Sequence, residues 1–308
     1  MDFLFQVLIE PWISILTAPL FFGEVVIGGI LSGVMYALVA LGFVLIYKAS
    51  QVLNFAQGQF LLIGAYVVWA LTVDAGLHWA LAVAGAILVA IVLGVVVERL
   101  ILRPLVGQPT ISVIMVTIGL AQVLGALVQI IWGTTPRAFP EFIPSDSVDL
   151  LGARVGEERL WAVGLVAVAL VAFAVFFQRS RYGIAMRAVA DDQQAALTMG
   201  ISVRRVFALA WALAGVSAVV GGMLVANVVG VSGDLSGFGL LVFPVVILGG
   251  LDSVPGAVVG GAIIGLLTAY TGGYLGGGLD TVIPYVALVL ILLVKPYGLF
   301  GQERIERV

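Results

Sequence analysis

Three observations predict an all-α protein that crosses a membrane many times. Apolar residues fill 62% of the 308 positions, and mean hydropathy is +1.21, whereas ordinary globular chains are roughly 45–50% apolar. Charged residues make up only 10%, far below the usual ~25%. Those few charges lie nearly all between the apolar stretches or at their edges. A carboxylate or ammonium at mid-membrane is costly and marks ion or proton paths, so a chain that avoids them reads as a passage driven from outside itself.

A membrane-crossing helix needs about 20 apolar residues. On that measure the spans fall near 24–47, 53–73, 79–97, 111–132, 160–178, 205–229, 238–251, 256–274 and 281–295. The segment 238–251 is too short for a straight crossing and ends in Gly249-Gly250-Leu251-Asp252-Ser253-Val254-Pro255-Gly256. A broken or re-entrant piece is expected there, because irregular backbone at membrane depth survives only under protein or beside a water-filled cavity. The expected total is therefore eight or nine transmembrane helices. Residues 1–22 read as an interfacial helix or an extra span: Asp2 sits where a signal peptide would carry positive charge, and Glu10-Pro11 interrupts the apolar run. Residues 23–301 read as one transmembrane domain and 302–308 as a cytoplasmic tail.

Lysine and arginine in short loops orient the chain. Alternating the spans places Lys48, Arg99, Arg103, Arg179, Arg181, Arg187, Arg204, Arg205, Lys295, Arg304 and Arg307 on one side. Only Arg137, Arg154 and Arg159 fall on the other, together with several acids. This asymmetry predicts a cytoplasmic C-terminus, an external loop at 133–159 and a cytoplasmic loop at 179–204.

Several function classes drop out. Without cysteine there is no disulfide and no thiolate metal site, and no other metal ligand set is evident. His78, the single histidine, stands beside Trp79 at a span edge and reads as interfacial. Both lysines are followed by Ala49 or Pro296, so no phosphate-binding P-loop exists. A Ser-His-Asp triad lacks any supporting motif, and the arginines form no basic face for nucleic acid.

Three segments stand out. Asn54-Phe55-Ala56-Gln57-Gly58-Gln59 puts three amides at the start of an apolar run. Asn54 and Gln57, three apart, would share a helix face and bond either to neighbouring helices or to a polar solute. The loop from Arg187 to Ile201 is rich in alanine and helix-prone, with Gly200 as its expected stop and with Asp191, Asp192 and Gln193 as its polar part. It reads either as a lever for a cytoplasmic partner or as a connecting helix resting on the membrane. The glycines at 249, 250, 256, 260, 261 and 265 suit tight helix packing, or a hinge.

With these segments, and with the ending Lys295-Pro296-Tyr297-Gly298-Leu299-Phe300-Gly301, the chain resembles the H-type permease subunits of branched-chain amino acid ABC importers. Gln194-Ala195-Ala196-x-x-x-Gly200 resembles the coupling motif of such importers, with Gln194 in place of glutamate. The resemblance implies a bacterial inner-membrane protein paired with a second, M-type permease. It also implies two cytosolic ATPase subunits that hold ATP and magnesium, and a periplasmic-type substrate-binding protein. Arg187, Asp191, Asp192, Gln194, Ala195, Ala196 and Gly200 would receive the ATPase motion, and Gly249, Gly250, Pro255 and Gly256 would pack or hinge. For an amino acid cargo, Asn54, Gln57 and Gln59 are the expected pathway residues, with Ser32 and Tyr36 beside them. Relatives of this type also carry urea, short amides or aromatic acids. An ion-coupled carrier and a passive channel are the alternatives from other classes.

Overall fold

The computed structural model describes residues 10–105, 108–140, 146–150, 153–276 and 278–301. Helix α1 (Glu10–Thr17) is followed by α2 (Pro19–Ser50), α3 (Gln57–Trp69), α4 (Trp79–Val97) and α5 (Thr110–Trp132). A hairpin of β1 (Ser147–Leu150) and β2 (Ala153–Gly156) leads into α6 (Glu157–Arg179). Then come α7 (Arg181–Asp191), α8 (Gln193–Thr198) and α9 (Val203–Val229). The last three are α10 (Gly237–Gly249), α11 (Val254–Tyr270) and α12 (Leu279–Val294). Each expected span coincides with a helix within a few residues, and among the described residues six helical stretches are long and apolar enough to cross a membrane. The described part of helix α1 is eight residues long, about 12 Å at 1.5 Å per residue; residues 1–9 of the expected N-terminal element lie outside the described residues. So does 302–308, the expected tail.

Two features went unread in the sequence. Single π-helical turns extend α3 (Ala70–Asp74), α4 (Glu98–Leu102) and α11 (Thr271–Leu275). The expected external loop 133–159 contains the antiparallel hairpin, registered Ser147↔Gly156 to Leu150↔Ala153.

The described residues cluster into two compact units, within Met1–Ala37, Ile143–Val166 and Leu241–Val308, and within Leu38–Phe142 and Ala167–Leu240. At the centre of the second lie α3, α4 and α9. Ala82, Ala86, Ala90 and Gly94 recur every four residues on α4 and are all buried. Such small side chains let α9 approach backbone to backbone: a methyl group at Gly94 would stand 2.5 Å from the Trp211 carbonyl oxygen. In lipid, where apolar burial drives helices together weakly, this contact density is what holds them. The opposite face of α4 exposes Leu81, Leu88, Val92 and Val96, as a lipid-facing surface does. Arg137 secures the start of the 133–159 segment to this unit. Its guanidinium stands 4.2 Å over the Trp69 ring, donates to the Trp132 carbonyl at 2.7 Å, and its backbone bridges to Val231.

In the first unit α2 meets α11 through small residues four apart. A Cβ at Gly33 would lie 2.9 Å from Ala262 Cα, and one at Gly265 would lie 2.5 Å from Gly33 Cα. The short helix α10 carries Pro244 inside it and ends in a turn, as expected for a broken segment. Its last carbonyls need partners at membrane depth. Leu299 N–H donates to the Leu248 carbonyl at 2.8 Å and Phe300 N–H to that of Gly249 at 3.0 Å. The Lys295–Gly301 ending therefore closes the open end of α10. Pro255 occupies the first turn of α11, and Ser253 caps it by accepting from Gly256 N–H at 3.0 Å.

Candidate substrate groove and coupling element

The three amides of the 54–59 segment have different surroundings. Asn54 precedes α3 rather than lying on it, so the expected shared helix face does not exist; a turn brings the two side chains together instead. Asn54 Oδ1 accepts from Ala56 N–H at 3.0 Å, and its Nδ2 donates to Gln57 Oε1 at 3.2 Å. Gln57 Nε2 donates to the Ala214 carbonyl of α9 at 3.1 Å. Both side chains are fully buried and bonded to protein. This is the interhelical reading of these amides: they fix the entrance of α3 against α9.

Gln59 differs. It lines a groove of about 570 Å³ in the second unit, with Gln122 and Gln129 of α5 and Ser236, a size typical of small-molecule sites. Its Oε1 is buried and has no hydrogen-bond partner among the described residues. Gly125 makes the room, since a Cβ there would sit 3.3 Å from Gln59 Nε2. Phe55, Ile118 and Leu240 supply apolar wall. Gln122 and Gln129 were missed at the level of sequence. They are seven apart in an apolar span, which places them on one helix face, and both are exposed. An amide facing hydrocarbon is costly, so this face suits water, solute or another polypeptide. Close approach of the groove's walls depends on Gly58, whose Cβ would press against the Ser236 carbonyl and stand 3.1 Å from Gly239 Cα.

Ser32 and Tyr36 belong to the first unit. They line a separate cavity there with Glu24, Arg159 and Asp280. Glu24 and Asp280 belong to α2 and α12, so the apolar stretches carry edge charges that open onto a cavity.

The segment expected to couple to a cytoplasmic partner is two helices rather than one. Asp192 leaves the helical region (φ −154°, ψ 111°) and caps α8, its Oδ1 accepting from Gln194 N–H at 2.8 Å and Ala195 N–H at 2.9 Å. At the other end Gly200 takes φ +79°. Its N–H bonds Leu197 O, and Ile201 N–H bonds Ala196 O at 2.9 Å, the paired closure that glycine at this position permits. Asp191, Gln194 and Ala195 are exposed and Ala196 is buried. Leu197 and Met199 stand 57% and 81% exposed, apolar knobs on a polar element. Arg187 donates to the Phe177 carbonyl near the end of α6, which ties α7 to that span. His78 caps α4 through Nδ1, which accepts from Ala80 N–H at 3.3 Å, in keeping with an interfacial residue.

Many apolar helices, a polar groove between them and an exposed helical pair define a polytopic membrane permease. Residues 25–294 match the family described as the branched-chain amino acid transport system permease component. The chain belongs to that family. It is 31% identical over 307 residues to the high-affinity branched-chain amino acid transport system permease protein LivH of Escherichia coli (strain K12), covering 94% of this chain and 98% of that protein. The LivH of Salmonella typhimurium is 32% identical over 305 residues, with the same coverage. BraD of Pseudomonas aeruginosa is 28% identical over 296 residues, 92% of this chain and 96% of its own length. No solved structure matches the chain.

Proposed function

We propose that this chain is the H-type permease of an ABC importer that carries branched-chain or similar amino acids inward across the bacterial inner membrane. A second, M-type permease completes the passage, and a substrate-binding protein delivers the cargo outside. ATP and magnesium act on two cytosolic ATPase subunits, which engage α7 and α8. The basic loops then face the cytoplasm, as does the C-terminus.

The observation that carries this reading is the Gln59 groove. A buried amide oxygen without a partner is costly, and a passing solute that donates a hydrogen bond relieves it transiently. Amides and hydroxyls bind a polar cargo without the deep trap that a fixed charge creates. Such a passage conducts in one direction only if an external motor alternates its exposure, and a motor shifts the equilibrium only through different affinity for the two states. Arg187, Asp192 and the exposed Leu197 and Met199 are suited to receive that motion.

The test is uptake into proteoliposomes containing both permeases, the ATPase subunits and the binding protein. L-leucine should accumulate only with internal ATP and stop with vanadate. Accumulation without ATP, or collapse on adding a proton uncoupler while ATP is held constant, overturns the reading.

A further inference from the structure

Glu24, Gly28, Ser32 and Tyr36 recur every four residues on α2. One helix face thus carries a carboxylate, a gap and two hydroxyls over about 18 Å at 1.5 Å per residue. All four line a cavity of about 500 Å³ in the first unit, shared with Arg154, Arg159, Thr268 and Asp280. Gly28 is the gap over which arginine reaches: a Cβ there would stand 3.2 Å from Arg159 Nη1. The Tyr36 hydroxyl hydrogen-bonds Thr268, which fixes its position on the wall.

The charges lining this cavity are balanced but not paired. Two arginines face two carboxylates, yet among the described residues the one ion pair is Arg103–Glu98, in the second unit. Glu24 Oε1 accepts from the backbone N–H of Arg154 at 3.1 Å, while Arg159 and Asp280 form no ion pair among the described residues. In an adjoining pocket the Glu158 carboxylate has one buried oxygen without a partner. Opposite charges in one cavity gain by meeting; here the fold holds them apart. A simple anion in this space would meet Glu24 and Asp280, and a simple cation would meet both arginines. A neutral solute bearing both signs matches it, and arginine's planar fork suits a carboxylate.

We propose that this cavity binds the charged head of a free α-amino acid, its carboxylate on Arg159 and its ammonium on Asp280, with Ser32 and Tyr36 as hydrogen-bonding wall. The assignment rests on an amino acid being the cargo and adds a contact point that recognises the head common to all of them rather than the side chain.

The experiment uses the permease pair in lipid nanodiscs without binding protein. Saturation-transfer NMR reads the binding of L-leucine, of 4-methylpentanoate, which lacks the ammonium, and of L-leucinamide, which lacks the carboxylate. Wild type should favour L-leucine over either analogue by about tenfold or more, the effect of roughly 1.4 kcal/mol for a lost charged contact. Arg159→Gln should erase the preference over L-leucinamide, and Asp280→Asn the preference over 4-methylpentanoate. Arg159→Lys, which keeps the charge, should retain much of it. Co-purification of the second permease checks folding of each variant. Equal binding of all three compounds, no binding at all, or variants that discriminate as wild type does would overturn the assignment. Failure of leucine uptake in the complete transporter sinks the proposed cargo separately, because the comparison of charge patterns does not depend on transport.

Discussion

Arg103 holds both carboxylate oxygens of Glu98, with Nε 3.1 Å from Oε1 and Nη2 2.8 Å from Oε2. The two residues are five apart, and the π-helical turn Glu98–Leu102 sets that spacing. The Glu98 side chain is 2% exposed and that of Arg103 is 32%. The pair lines a pocket of about 160 Å³ with Gln108, Trp211 and Gln193 of α8, so a buried charge lies beside the proposed coupling element. Removing one partner of a fully buried pair costs roughly 3–5 kcal/mol; partial exposure of Arg103 reduces that here. Arg103→Met should therefore lower the unfolding temperature of the detergent-solubilised protein, and Glu98→Leu in the same chain should restore much of the loss. An Arg103→Met variant as stable as wild type, or a double variant worse than the single, contradicts the role assigned to the pair.

Gln59 and Gln57 are two positions apart and should fail differently. Gln59 lines the groove with an unsatisfied oxygen, so Gln59→Leu removes a polar surface without breaking a bond. Assembly with the second permease should persist, while ATP-dependent uptake falls about tenfold or more, the equivalent of one lost hydrogen bond to a charged group. Gln57→Leu strands the Ala214 carbonyl and Asn54, so the yield of assembled complex should fall first. Size-exclusion profiles and uptake per assembled complex separate the two outcomes. A well-assembled, inactive Gln57→Leu would reverse the assignment.

How much of this was legible in the sequence follows from what each residue had to satisfy. Span positions came through because twenty apolar residues in lipid have few alternatives to a helix, and Gly200 was readable because a left-handed residue closes a helix. Asn54 and Gln57 do not share the expected helix face, because spacing three implies one only inside a helix and α3 begins at Gln57. The π turns leave no compositional trace: Glu98 looks like an ordinary charge at a span edge until the extra residue swings Arg103 onto it. Gln122 and Gln129 could have been found from their seven-residue spacing. That Gln59 shares their groove, whereas Ser32 and Tyr36 line another, depends on packing that hydropathy does not encode.

Asp192 separates α7 from α8 and caps the second through two backbone N–H groups. Replacing such a cap with alanine typically costs about 1 kcal/mol, which would fray a six-residue helix while barely touching a membrane core. Asp192→Ala should thus leave the unfolding temperature within a few degrees of wild type yet reduce leucine uptake per ATP hydrolysed by the complete transporter. Asp192→Ser or Asp192→Asn, which also cap, should restore the ratio. If the alanine variant transports with unchanged stoichiometry, the two-helix geometry is not what transmits ATPase motion.

Gly250 offers the sharpest test of how α10 ends. Its φ of +110° is a conformation that residues with a Cβ rarely adopt, and a Cβ would stand 2.5 Å from Gly301 N. Alanine there faces two penalties at once, a strained backbone of roughly 1–3 kcal/mol and a collision with the segment whose N–H groups cap Leu248 and Gly249. Relief requires the 297–301 segment to move away, which leaves those carbonyls without partners at membrane depth. Gly250→Ala should therefore expose the C-terminal segment to chymotrypsin, after Tyr297 or Phe300, several-fold faster than wild type and lower the yield of folded permease. Gly276→Ala is the control: its φ is also positive, at +58°, but no atom lies within 4 Å of the added Cβ, so it should be stable to the protease. Equal protection of Tyr297 and Phe300 from chymotrypsin in the two variants would show that the contact between Gly250 and Gly301 does not close the end of the helix.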